Sequence, residues 1–170
     1  LAGGGYAAPS ARFLSMVLLS MAFLLMVGLS TLMAASTSLA GERATPEEAK
    51  AMAIRAAEYL KTVGPEKAFS AFQDPNGDFI DRDLYVFVQD FECTFYAHGL
   101  NPLLVGRNIW NLINPNGRYA CRDIMEVTKQ HGVGWTDYIF TDPKTGDLAW
   151  KTTYSIAVGK YVVMVGAYKP

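Results

Sequence analysis

Residues 134–168 read GWTDYIFTDPKTGDLAWKTTYSIAVGKYVVMVGAY, and this stretch decides the fold. It divides into three runs rich in aromatic and β-branched residues, 135–140, 148–156 and 161–167. The cluster from Asp142 through Pro143 and Gly146 to Asp147 separates the first two, and Val158-Gly159-Lys160 separates the last two. Gly, Pro and Asp fall almost only between the runs, so the pattern predicts three consecutive antiparallel strands joined by turns. One basic residue, Lys151, sits inside the middle run between Trp150 and Thr152. An ammonium in the body of a strand must face water or meet an anion, because burying an unpaired charge is costly.

Working back along the chain, Arg122 to Gln130 predicts a helix with Ile124, Val127 and Met125 turned inward. Residues 98–117 read as loop, broken by Asn101-Pro102, Gly106 and Asn114-Pro115-Asn116-Gly117. Residues 84–89, LYVFVQ, are a strand, and 93–97 are its returning partner across an Asp90-Phe91-Glu92 turn. Thr45-Pro46-Glu47-Glu48 opens a helix with an N-cap, a proline at the first helical position and a capping-box glutamate. Ala49, Met52, Ala53, Ala56, Ala57 and Leu60 then recur at helical spacing up to Gly64-Pro65, and a shorter helix spans 66–72. Two helices, a hairpin, a loop with a short helix and a three-stranded meander define an α+β domain. It has about five antiparallel strands, with the helices on one side or end.

The first forty residues differ in kind. Residues 13–33 carry no charge and follow Arg12, and Ser38-Leu39-Ala40 has the small-x-small form that precedes signal cleavage. Residues 1–40 are therefore expected to be a signal peptide or an N-terminal membrane anchor, with 45–170 an exported domain in the periplasm or extracellular space. Because the sequence starts at Leu1 rather than Met, the native N-terminus is expected to be missing or misassigned. With 15 basic against 16 acidic residues and no basic run, the chain lacks the clustered positive footprint that nucleic-acid binding needs. Contact with a membrane is expected only through the N-terminal segment. Export makes the two cysteines, Cys93 and Cys121, candidates for a disulfide, the alternative being two small buried hydrophobes that never meet.

The matching pieces now form a pattern. They are Tyr59-Leu60 through Gly64, Lys67-Ala68, Phe79, and Asp83-Leu84-Tyr85-Val86-Phe87-Val88. Ala97-His98-Gly99 follows, then Asn101-Pro102, Leu104-Val105-Gly106-Arg107-Asn108 and the Asn114 to Gly117 turn. Gly134-Trp135-Thr136-Asp137-Tyr138, Asp142-Pro143, Lys151-Thr152-Thr153-Tyr154 and Gly166-Ala167-Tyr168 complete it. Residues 48–168 thereby resemble the single Cache domain, type 2, a PAS-like extracytoplasmic ligand-sensing module. The resemblance implies a long N-terminal helix on a five- to six-stranded antiparallel sheet, with a pocket on the opposite face. It also implies a small-molecule ligand, typically a small organic acid or other small metabolite, and a place in signal transduction such as chemotaxis. The chain departs from sensors of this kind by ending at Pro170 without a second membrane span or signalling domain, and by carrying Cys93 at the hairpin. A binding module is expected rather than an enzyme. The alternative is an interaction protein whose pocket is filled and which docks to a membrane sensor.

Alternation places Lys151 with Ala149, Thr153 and Ser155, and puts Trp150, Thr152 and Tyr154 on the other face. Lys151 either pairs with a ligand carboxylate or stays solvated. Tyr138 and His98 are candidate orienting donors and Trp135 a candidate wall, with Tyr85, Tyr154 and Arg122 as further ligand-contacting candidates and Arg107 a source of positive charge. Trp135 and Tyr138 fall on opposite faces of their strand if it is regular. His98 and His131 lack neighbours at metal-ligand spacing, and Asp74-Pro75-Asn76-Gly77-Asp78 fits a surface turn better than a calcium loop, since Gly77 comes too early for the loop glycine and Tyr85 stands where the closing glutamate is needed. No metal or cofactor is expected. Cys93 and His98 lack an orienting third group, and no nucleophile-elbow, Walker or dinucleotide motif occurs.

Overall fold

The computed structural model describes residues 43–169; the expected signal or anchor segment, 1–40, lies outside them. Helix α1 (Pro46–Val63) starts at the Thr45 capping box, in which Thr45 Oγ1 accepts from Glu48 N–H and the Glu48 carboxylate accepts from Thr45 N–H. Arg82 pairs with the same carboxylate at 2.6 Å, and chiefly for that reason Glu48 is held down at about 2. Gly64 ends α1, and α2 (Pro65–Phe72) follows. The strands are β1 (Ile80–Asp81), β2 (Leu84–Asp90) and β3 (Phe95–His98), with a 3-10 turn at Pro102–Leu104. Helix α3 (Ala120–His131) then leads into β4 (Val133–Thr141), β5 (Leu148–Val158) and β6 (Tyr161–Tyr168). Among the described residues no helix is long and apolar enough to cross a membrane.

The strands form one antiparallel sheet in the order β1-β2-β6-β5-β4, with β3 beside β2. The meander β4-β5-β6 pairs as the sequence predicts, Tyr138 opposite Lys151 and Lys151 opposite Tyr168. β2, from the far end of the chain, closes against β6 with Phe87 opposite Met164. Two differences from the sequence reading stand out. The short β1 was not expected, and β3 starts at Phe95 rather than Cys93. Cys93 has φ 67, a left-handed backbone that no strand contains, and the Asp90 carboxylate holds this turn by accepting from Glu92 and Thr94 N–H.

Each face of the sheet carries its own apolar core. On one, α1 lays Ala49, Ala53, Ala56 and Ala57 against Val86, Val88, Val163, Val165 and Ala167, all buried. Alanines let the helix axis approach the sheet closely, so a larger residue at any of them would overpack the contact. On the other face, α3, through Ile124 and Met125, and the 99–119 loop cover Tyr85, Phe87, Phe95, Tyr138 and Met164. Here α3 sits so close to β4 that a Cβ on Gly134 would lie 2.2 Å from Val127 Cγ1.

The two cysteines meet. Cys93 and Cys121 form a disulfide with Cα atoms 6.1 Å apart, tying the β2–β3 turn to the first turn of α3. It closes a loop of 28 residues, and that loop supplies the rim of the second face. The loop is also held by backbone bonds along β3, Phe95 N–H to Arg107 O and Ile109 N–H to Cys93 O, and by Asn114 Nδ2 donating to Ile139 O at 2.7 Å.

Candidate functional site

A cavity opens between the sheet and the α3 face, opposite α1. It is small: its cavity volume is about 40 Å³, below that of drug-sized ligand sites, so only a compact ligand suits it. Tyr85, Phe87 and Gln89 contribute from β2, Phe95 and His98 from β3, and Ile109, Leu112 and Asn114 from the loop. Ala120, Cys121 and Ile124 contribute from α3, Tyr138 and Phe140 from β4, and Lys151 from β5. The wall is mostly aromatic and aliphatic, with few polar groups.

Lys151 is the unusual member. Its side chain is only 1% exposed, and Nζ donates to Tyr85 Oη at 2.7 Å. Nζ also lies 4.2 Å from the Tyr85 ring centroid, 4.9 Å from Tyr168, 5.4 Å from Phe87 and 5.6 Å from Phe140. Ring faces stabilise a cation partly, more so when water is excluded. Among the described residues no carboxylate lies within ion-pair distance of it. Burial therefore dominates and lowers Lys151 to about 7, while Asp83 and Asp142 act from further off in the opposite sense. Those two carboxylates are buried and share Arg43, Asp83 at 3.6 Å and Asp142 in direct contact. Gly166 makes the lysine's path possible, because a Cβ there would meet Lys151 Cε at 2.4 Å and Thr153 Oγ1 at 2.3 Å.

His98 lines the cavity beside this ammonium. Its Nδ1 accepts from Asn101 N–H at 3.0 Å, so in the neutral ring the proton sits on Nε2, which can donate. Burial, then the charge of Lys151, lowers His98 to about 4, so it is neutral at physiological pH. The ring stacks 4.8 Å from Tyr85. Tyr138 hydrogen bonds with Thr153 Oγ1 at 2.9 Å, and burial pushes its phenol well up, so it remains a neutral hydroxyl. Burial does the same to Tyr85. Tyr85, His98, Tyr138 and Lys151, four candidates from the sequence, thus share one cavity.

Four candidates do not line it. Trp135 pairs with Tyr154 across β4 and β5, rings 4.9 Å apart, on the α1 side of the sheet. The pleat alternates strictly, so Trp135 cannot share a face with Tyr138, nor Tyr154 with Lys151. Arg122 lies on α3 but turns to the loop, donating to Trp110 O and Asn111 Oδ1 and stacking 3.9 Å from the Tyr119 ring. Its guanidinium is occupied in holding the rim. Arg107 is exposed and lies outside the lining as well. Conversely, Gln89, Phe87, Phe95, Asn114 and Ile124 line the cavity without having been singled out. The odd positions of β2 face it together with Tyr85, but β2 is buried on both faces, and its unbroken apolar run conceals which face matters.

Among the described residues no cluster of His, Cys, Asp and Glu could hold a metal ion. Cys93, as half of a disulfide, has no thiol to act as a nucleophile.

This architecture, a PAS-like antiparallel sheet with a long helix on one face and a small aromatic cavity on the other, is that of a Cache-type domain. The family model of the Single Cache domain 2 matches residues 20–169, and the chain belongs to that family. Among solved structures it is similar to a methyl-accepting chemotaxis protein from Vibrio parahaemolyticus, with 19% identity, a TM-score of 0.63, and 72% of this chain and 86% of that one covered. A Cache chemosensory domain described with the structural basis of its carboxylic acid recognition gives 19% identity and a TM-score of 0.62 over 73% and 92%. A periplasmic sensor domain of a chemotaxis protein gives 21% and 0.57 over 73% and 90%. No curated protein matches this chain.

Proposed function

We propose that the domain is an extracytoplasmic binding module, non-catalytic, that holds a small monoanionic carboxylate in the cavity and contributes to signal transduction. The observation that carries this reading is Lys151, a buried ammonium without a carboxylate in contact, facing a partly closed aromatic cavity. A ligand carboxylate supplies the missing counter-charge through a charge-assisted hydrogen bond in a desolvated site. Neutral His98 donates from Nε2, the Tyr85 and Tyr138 hydroxyls orient the anion, and Phe87, Phe95 and Ile124 enclose the apolar remainder. The similar Cache domain described with carboxylic acid recognition supports the ligand class. The buried ammonium at the cavity wall favours occupancy by an anionic ligand over the alternative of a filled fold that docks to a membrane sensor.

Residues 1–40 serve in this proposal as a signal peptide or membrane anchor that places domain 45–170 in the periplasm or extracellular space; N-terminal sequencing of the mature protein separates the two. Titration calorimetry with acetate, propanoate, butanoate and pentanoate tests the ligand class. At least one should bind, and Lys151→Met, which keeps the stem and removes the charge, should weaken it a hundredfold or more. Unchanged affinity in that variant would refute the role given to Lys151.

A further inference from the structure

Gln89 lies on the same face of β2 as Tyr85 and Phe87, at the end of the cavity away from Lys151. It is 1% exposed, and its Nε2 has no hydrogen-bond partner among the described residues. Its Oε1 lies 3.4 Å from Cys121 Sγ, but that sulfur is bonded to Cys93 and carries no hydrogen to donate. Turning the amide over would place Nε2 against a weak sulfur acceptor and leave Oε1 without a donor. In either orientation a buried primary amide faces the cavity with its hydrogen-bonding capacity unmet. Native proteins rarely leave such a group unpaired, and those that occur call for a specific explanation.

Each of the other polar side chains of the wall has at least one conventional hydrogen-bond partner. Asn114 Nδ2 is committed to Ile139 O, His98 Nδ1 to Asn101, and Tyr138 to Thr153. Gln89 therefore differs from them in kind. Between it and Lys151 lies Phe87, whose ring centroid is 5.4 Å from Nζ. Gln89 is two residues further along the strand, about 7 Å at the usual rise.

We propose that Gln89 is a second, specificity-determining anchor, and that the preferred ligand is a carboxylate bearing an uncharged hydrogen-bonding group at its far end. The inference rests on the carboxylate reading of the Lys151 end. With a hydrogen bond at each end, roughly three to five carbons span the interval over Phe87. A terminal amide suits Gln89 best, since each amide then both donates and accepts. A second carboxylate suits it poorly, because no cationic side chain lines that end and an unpaired charge would be desolvated there. The preferred class is thus a short ω-amido, ω-oxo or ω-hydroxy acid rather than a plain fatty acid or a dianion.

Calorimetric titration of the whole exported domain tests this with the monoamides of four-, five- and six-carbon dicarboxylic acids, each beside the straight-chain acid of equal length and the parent diacid. At least one monoamide should bind tenfold or more tightly than its plain acid and its diacid. In Gln89→Met, similar in volume but without the amide, that advantage should vanish while the plain acid binds within about twofold of wild type. The ligand-free variant should also melt a few degrees higher, because an unmet polar group has been replaced by an apolar one. Plain acids binding with no gain from the amide would overturn the Gln89 assignment and leave the Lys151 reading standing. So would a gain that survives in Gln89→Met, or a lowered melting temperature in that variant, which would show the amide satisfied by ordered water. Binding of neither series to wild type would overturn both readings.

Discussion

At the residue scale, Lys151 shows how surroundings set the chemistry of a single side chain. Alternation alone places it opposite Tyr154 and leaves water or a ligand as its partner. The helix and loop of the second face remove the water, and Gly166 leaves room for the stem to run to Tyr85. With Lys151 lowered to about 7 by burial, against the pull of Asp83 and Asp142, the empty site at pH 8 is mostly neutral. A bound carboxylate favours the ammonium, so binding at pH 8 should take up close to one proton. Affinity should then fall by up to tenfold per unit of pH above about 7. Calorimetry in two buffers of different ionisation enthalpy measures that proton directly; zero uptake at pH 8 would contradict it. Parity also shows where reading by residue type misled. Trp135 and Tyr154 are aromatic and lie near the key residues in sequence, yet they sit an odd number of residues from Tyr138 and Lys151, which excludes them from the cavity face.

At the element scale, α3 and the 99–119 loop cover the cavity, and the disulfide ties them to the β2–β3 turn. Without it, α3 would still pack through Ile124 and Met125, and Thr128 Oγ1 would still meet Ser155 Oγ at 2.7 Å. The rim would lose its covalent anchor at Cys121. Closing a loop of 28 residues contributes about 3–4 kcal/mol in the chain-entropy account. The Cys93→Ala/Cys121→Ala double variant should therefore lose about that much in urea unfolding, or about 10 °C in melting temperature. It should bind ligand more weakly than its residual stability alone explains. A variant that unfolds at the wild-type urea midpoint would remove the disulfide from the stability of the domain. The sequence could pair these cysteines only as one of two alternatives, because Cα separation depends on α3 docking on β2. That docking places Ala120, Cys121 and Ile124 against Phe87 and Phe95, from segments far apart in sequence.

At the scale of the whole molecule, a neutral histidine and a strained ammonium in one cavity set how stability varies with pH. His98 stays neutral down to about 4 in the folded state but protonates near 6.5 when unfolded. Between those values the unfolded chain binds the extra proton, so folding stability falls as pH drops from 6.5 to 4. The loss is about 3 kcal/mol from this group. Lys151 acts in a higher window. Its folded value lies below its unfolded one, so the unfolded chain holds more protons between about 7 and 10.5, and stability rises with pH there. His98→Asn, which keeps an acceptor for Asn101 N–H, should abolish the acid loss specific to His98. Urea unfolding of both proteins from pH 7 to 4 should show the difference between them shrinking by about 3 kcal/mol. Parallel curves would show that His98 protonates freely in the folded state.

The sequence by itself determined the elements and their order. Turn residues mark the meander, the capping box and Gly64-Pro65 bound α1, and the alanines at helical spacing fix its buried face. These signals are local, set by backbone preference and by the period of burial. Alternation likewise settled which residues of one strand share a face. Only the tertiary structure decided which face holds the cavity, that Cys93 meets Cys121, that Arg122 serves the rim, and that Gln89 lies buried without a partner. Each of these depends on segments distant in sequence coming into contact across a sheet that is apolar on both sides, and a strand buried on both faces carries no pattern to tell one from the other.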